Sequence, residues 1–319
     1  MTFGPCGGVR SDLLCEIGHA PCPFVEQLTR PWLATEREHR RHALLATKRP
    51  FVLADLPHAP LDATSIARSA AALAGHADAV LFGDVGWARA QLPPSYRAAL
   101  VAREGVLPWA GLNCRDRNRV ALEGELAALT DVGAAVHCVT GDHTDLGQRS
   151  DAQPVFDLDS TQLAALAAEL GMVVSVAENP VAPPIEQRPN RLVQKVRAGA
   201  DVCIVNHAGS AANVDRFVRA ARAAGAQHTV FFACVPLVTG RAGLALLRTF
   251  TGLALPDGYI DAIETAFDPT TAAIDAAIQF ARSVLALDDI DGVNVSCAIA
   301  PGEEDSAARA IVSVCDALR

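Results

Sequence analysis

The chain has 319 residues, half of them apolar, and a net charge of −9 at neutral pH. That length and apolar fraction exclude disorder as the default and suit one large α/β domain or two small ones. The acidic balance argues against non-specific attraction to nucleic acid or an anionic membrane, although a local basic cluster can still bind a small anion.

The opening "MTFGPCGGVR" has no basic stretch ahead of an apolar run, and no later segment approaches the roughly 18 uncharged apolar residues of a membrane span. A cytoplasmic protein without a membrane partner is predicted. Nine cysteines, an odd count in so long a chain, read as reduced thiols. Six of them (Cys114, Cys138, Cys203, Cys234, Cys297 and Cys315) lie in or beside apolar stretches, as small core residues do.

Residues 1–49 differ in character and are read as an N-terminal extension to a domain covering 50–319. The extension holds Cys6, Cys15 and Cys22, then the charged run "TEREHRRH", whose helix is expected to cap the bottom of the following domain or a subunit contact. Eight and then six residues separate the three thiols, and no C-x-x-C pair is present. Zinc or an iron–sulfur cluster would need a fourth ligand, such as His19 or a cysteine of a partner subunit; the alternative is three reduced thiols in a packed turn.

From residue 50 a short β-rich apolar run, a polar tip and a longer helical segment recur in turn. The runs are 51–55, 78–83, 109–114, 134–141, 172–179, 201–207, 228–235 and 291–297. Between them, Leu122, Leu126 and Leu129 share one helical face, as do Leu163, Leu166 and Leu170, the spacing of helices that cover a parallel sheet. Gly75, Gly133, Gly171, Gly199 and Gly225 stand where helix stops belong. About eight such β/α units predict a closed (β/α)8 TIM barrel over an open doubly wound sheet. Residues 236–290 carry two or three helices without a strand, so either a strand is hidden there or the barrel holds an insertion.

In such a barrel the strand C-termini open on one face. The candidate site therefore gathers Asp55; Asn113 with Arg115 and Asp116; Thr140, Gly141, Asp142 and His143; Glu178 and Asn179; Asn206 and His207; and Cys234 and Cys297. "TGDH" puts a glycine that admits a close ligand beside a carboxylate, or is simply a turn with an N-cap aspartate. "NCRDRNR" concentrates arginines at a helix start, which suits a phosphate, or is a surface helix laced by local pairs. Arg188, Arg191 and Lys195 form a basic stripe, either a solvated face or an anion site.

Taken in order, "LNCRDRNRVALEGELAALTDVGA", "VTGDHTD", "PVFDLDSTQLAAL", "AENPVAPPIEQRPNRLVQKVRAGAD" and "APGEE" resemble the methylenetetrahydrofolate reductase family over roughly residues 50–319. The cysteine-rich opening resembles a module that accompanies some bacterial members, usually at the C-terminal end. The resemblance implies a (β/α)8 barrel that interconverts 5,10-methylene- and 5-methyltetrahydrofolate, with bound FAD passing hydride to or from NADH or NADPH. It places Asn113, Arg115, Asp116, Asn118, Thr140, Gly141, Asp142, Glu178 and Asn179 along the flavin, and Lys195 near its phosphates. Asp142, Asn206 and His207 would meet the folate, and a possible homo-oligomer or partner subunit is implied. The family's strand-one glutamate, its proton donor, is replaced by Asp55 or by Ala54 depending on register. The family's aromatic after strand six is missing; a folate-binding accessory protein and a flavin-free reductase are the alternatives.

Overall fold

The computed structural model describes residues 9–15, 19–25, 45, 50–85, 88–143, 151–249 and 252–319. The eight predicted runs become eight parallel strands: β1 (Phe51–Asp55), β2 (Ala79–Phe82), β3 (Leu107–Asn113), β4 (Ala135–Val139), β5 (Val174–Glu178), β6 (Val202–Val205), β7 (Val230–Val238) and β8 (Gly292–Ala298). They pair in sequence order, and β8 returns to β1, which closes the barrel.

Each of the first six strands is followed by one covering helix: α1 (Ala63–Leu73), α2 (Pro94–Arg103), α3 (Arg119–Val132), α4 (Ser160–Glu169), α5 (Arg188–Ala198) and α6 (Ala211–Ala224). After β7 come two short helices, α7 (Arg241–Leu247) and α8 (Tyr259–Thr265), then the longer α9 (Pro269–Leu285). The stretch without a strand is thus an insertion after β7, and α10 (Glu304–Ala317) closes the chain. Local chemistry sets the boundaries. Asp159 and Gln162 form a reciprocal capping box on α4, Asp62 caps α1, and Gly133 ends α3 with a left-handed turn.

Two apolar layers hold the barrel. Phe51, Leu53, Trp109, Val173, Ile204 and Phe232 fill its lower interior, while Val52, Ala54, Val136, Val174, Val176 and Val205 face the helices. The interior is anchored by stacked Phe51 and Phe232 (centroids 5.1 Å apart, planes 6° apart) with Trp109 edge-on to both. Leu45 of the extension packs against this interior cluster. The predicted helix of "TEREHRRH" lies outside the described residues. Among the described residues no helix is long and apolar enough to cross a membrane.

Candidate active site at the barrel mouth

The alternation of strand faces decides which strand-end residues look inward. Asp55 follows Phe51 and Leu53 on the interior face, whereas Ala54 lies under the helices. β1 therefore turns Asp55, and not Ala54, into the barrel. Its Oδ1 accepts from Asn294 Nδ2 at 3.2 Å and its Oδ2 from the Cys297 N–H at 3.2 Å. Burial pushes the Asp55 carboxyl up to about 6, against the opposing pull of hydrogen bonds from Asn294, Ser296 and Cys297. Asn294 also reaches Cys234 Sγ at 3.9 Å, and its own Oδ1 is buried with no hydrogen-bond partner.

On the β3 side, Asn113 is buried and donates to Asp84, a residue after β2 that the list of candidates omits. Asp84 also takes Arg115 Nη2 at 3.1 Å and lies 3.8 Å from the wholly buried Arg97 of α2. Arg115 is further clamped by Asp116, through Nε at 2.8 Å and Nη2 at 2.7 Å. Of the charges in "NCRDRNR", Arg115 is thus satisfied by Asp84 and Asp116 and Arg119 by Glu123 at 2.7 Å, whereas Arg117 Nη1 is buried with no hydrogen-bond partner. Asn118, by contrast, is the N-cap of α3, accepting from the Ala121 N–H at 3.0 Å.

Gly141 joins this cluster to the β4 loop. A side chain there would stand 3.0 Å from Arg115 Cβ and 3.3 Å from Asn113 Cβ, and its φ of 89° favours glycine. Asp142 follows at the rim, reachable by solvent but crowded by protein on its inner side. Desolvation raises its carboxyl above the ordinary range, and Arg115 opposes the rise. Thr140 Oγ1 accepts from the Ser160 N–H at 3.2 Å, tying the loop to α4. His143 stacks on Phe156, whose other neighbour is Phe24 of the N-terminal extension, 5.6 Å away and edge-on. The extension therefore also touches the mouth.

Asn206 follows β6 on the interior parity of Val202 and Ile204, and its Oδ1 accepts from the His207 N–H at 2.8 Å. His207 is buried, its Nδ1 lacks a partner, and burial lowers it to about 4. Asn179 is tied to the insertion after β7, donating to the Gly252 carbonyl, and it accepts from the Val181 N–H of its own loop. Cys234 faces inward, while Cys297 packs in the layer under the helices.

Glu178 and Lys195 stand apart from this mouth. Glu178 shares the helix-facing parity of Val174 and Val176, and its carboxylate meets Lys195 Nζ at 2.6 Å and Arg188 Nη1 at 3.6 Å. Lys195 also donates to the Ala177 carbonyl at 2.7 Å, and Arg191 donates to Thr161 Oγ1 at 3.2 Å. Arg188, Arg191 and Lys195 are all buried, on the same face of α5 as Leu192 and Val196. The basic stripe is neither solvated nor open to an anion; it is the core face of the helix.

Among the described residues no three potential metal ligands gather. Cys22 is buried and Cys15 partly so, while Cys6 lies outside the described residues.

A closed parallel barrel whose mouth carries Asp55, Asp84, Asn113, Asp142 and Asn206 has the architecture of a barrel enzyme. The model of the family described as methylenetetrahydrofolate reductase matches residues 76–294, and the chain belongs to that family. No curated protein matches it. Among solved structures it is similar to a protein of Clostridium thermocellum described as binding two copies of 5-methyl-5,6,7,8-tetrahydrofolic acid. That likeness has a TM-score of 0.64 at 9% identity over 85% of this chain and 96% of the other, and it shows the fold alone.

Proposed function

We propose that the protein binds a reduced folate at the barrel mouth and interconverts 5,10-methylene- and 5-methyltetrahydrofolate. The observation that carries this reading is the inward-facing Asp55, a carboxyl pushed up to about 6 at the end of β1, within a chain of the methylenetetrahydrofolate reductase family. The methylene bridge opens when N10 takes a proton, and the resulting N5 iminium takes a hydride. A carboxyl titrating near neutrality is suited to give that proton. In this reading Asp142, accessible at the rim, offers acceptor oxygens to the pterin's amine edge, and the Asn206 amide completes the hold. The relative that binds 5-methyl-5,6,7,8-tetrahydrofolic acid, though distant, supports a folate ligand for this fold.

The hydride donor we assign is NADH or NADPH acting directly. Two of the cations that the resemblance sets beside the FAD phosphates are already engaged by carboxylates, while Arg117 Nη1 is buried with no hydrogen-bond partner. Arg115 is held by Asp84 and Asp116, and Lys195 by Glu178 in the layer behind the strand. With Arg115 and Lys195 committed in this way, our reading routes no step through flavin.

The purified protein should be colourless and should oxidise NADH only when methylenetetrahydrofolate is added. Asp142→Ala should lower that turnover about a hundredfold, by removing a charge-assisted contact in a crowded site. A yellow protein bleached by NADH would restore flavin to the reading, and full turnover in the variant would move the folate elsewhere.

A further inference from the structure

Inward-facing residues of the upper strands remain partly exposed: Asp55, Leu81, His137, Val139, Ala177 and Ser296. Together they outline a funnel whose deepest polar side chain is His137, in the middle of β4. Gly111, its register partner on β3, has no side chain because Gly83 Cα and the Phe82 carbonyl come within 3.0 Å of where a Cβ would stand. Below lie Trp109 and Ser175, both buried, with Phe232 beside Trp109.

The bonds around Ser175 fix how His137 presents itself. Ser175 Oγ accepts from Trp109 Nε1 at 2.8 Å and donates its proton to the Val136 carbonyl at 3.3 Å. One lone pair remains, and His137 Nδ1 lies 2.8 Å away. With the Ser175 proton on the Val136 carbonyl, Nδ1 carries the imidazole's hydrogen and Nε2 is a bare acceptor, and this is the tautomer we assign. Nε2 is not among the buried unpartnered atoms. Burial, assisted by the positive charge of Lys195, lowers His137 to about 4, which keeps the ring neutral at physiological pH.

We propose that His137 Nε2 is a fixed hydrogen-bond acceptor at the floor of the funnel that takes an amide or amidine N–H from a planar ring bound above the Trp109 floor. This rests on the folate reading only for the identity of the ring. The donor edge belongs either to the pterin of the substrate or to the carboxamide of the nicotinamide. Asp55, on a strand across the barrel from β4, would then act on the opposite side of the same ligand stack. His137 becomes a specificity-determining residue, discriminating against rings that present an acceptor at that position.

The test is nitrogen-15 NMR of the histidine-labelled full chain, with the His137 resonances assigned by their disappearance in His137→Phe. The expected result is the Nδ1–H tautomer in the free protein, and a shift of the Nε2 resonance on adding either 5-methyltetrahydrofolate or NADH. The ligand that moves it identifies the source of the donor. His137→Phe should weaken that ligand about tenfold or more while sparing the other. Ser175→Ala should release the tautomer and weaken the same ligand, which keeps the test intact if the phenylalanine variant does not fold. An Nε2–H tautomer, or ligand binding that leaves the His137 resonances unmoved, overturns the proposal. A protein that binds neither ligand defeats the folate reading itself, and the ligand assigned here with it.

Discussion

Replacing Asp55 by asparagine is expected to lower the rate of methyl-group formation by about a hundred- to ten-thousandfold, because the variant has no proton to deliver. Stability should move the other way. The folded carboxyl titrates near 6 while an aspartate in the unfolded chain titrates near 4, so between those values the native state holds more protons. Native stability therefore declines as pH rises through that window, by about 2–3 kcal/mol, and stays at the lower level above it. An uncharged amide escapes that loss. Its NH2 replaces one of two oxygens that accept from donors, so Asn294 has to turn its buried, unpartnered Oδ1 toward the new amide while the remaining oxygen keeps the Cys297 N–H.

The Asp55→Asn protein should accordingly melt above the wild type at pH 8 and together with it near pH 4. In the wild type, the rate of the proton-requiring direction should fall about tenfold per pH unit above 6. Thermal melts across pH, alongside NADH oxidation, read both effects. A variant that retains its turnover removes Asp55 from the chemistry. One that melts below the wild type at pH 8 shows that the charged carboxylate is held favourably after all.

The sequence made the barrel legible but not the faces of its strands. Eight apolar runs with helices between them survive as β1 to β8, since strands buried on both sides must be apolar throughout. That same property hides parity. "FVLAD" shows no alternation, so whether Asp55 or Ala54 looks inward could not be read until Phe51 and Leu53 were seen inside and Val52 outside. The same blindness grouped Glu178 with the mouth, although it stands one parity step away from Ala177 on the helix side. His137 was passed over because it sits in an apolar run, and Asp84 because the run before it is short. The basic stripe carried a usable signal: Leu192 and Val196 lie on the same turn-to-turn face as Arg188 and Lys195, which marks a core face.

The strongest structural effect is expected at that stripe. Lys195→Met leaves the Glu178 carboxylate buried with Arg188 at 3.6 Å as its remaining cation, and Arg188 is also committed to the Ala182 and Pro183 carbonyls. Removing one partner of a buried pair costs about 3–5 kcal/mol, since the other charge stays desolvated. Adding Glu178→Leu should recover most of that loss, because apolar side chains fill a layer already lined by Val174, Val176 and Leu192. The double variant distinguishes two roles for Lys195. If the lysine serves only the sheet–helix packing, the pair of changes restores both the melting temperature and the KM for NADH. If it holds a cofactor phosphate, stability returns while KM stays raised, and the assignment of Glu178 and Lys195 to the scaffold fails. Chemical denaturation with steady-state kinetics on the two single variants and the double decides it, and the coupling between positions 178 and 195 should be a large share of the single-variant loss.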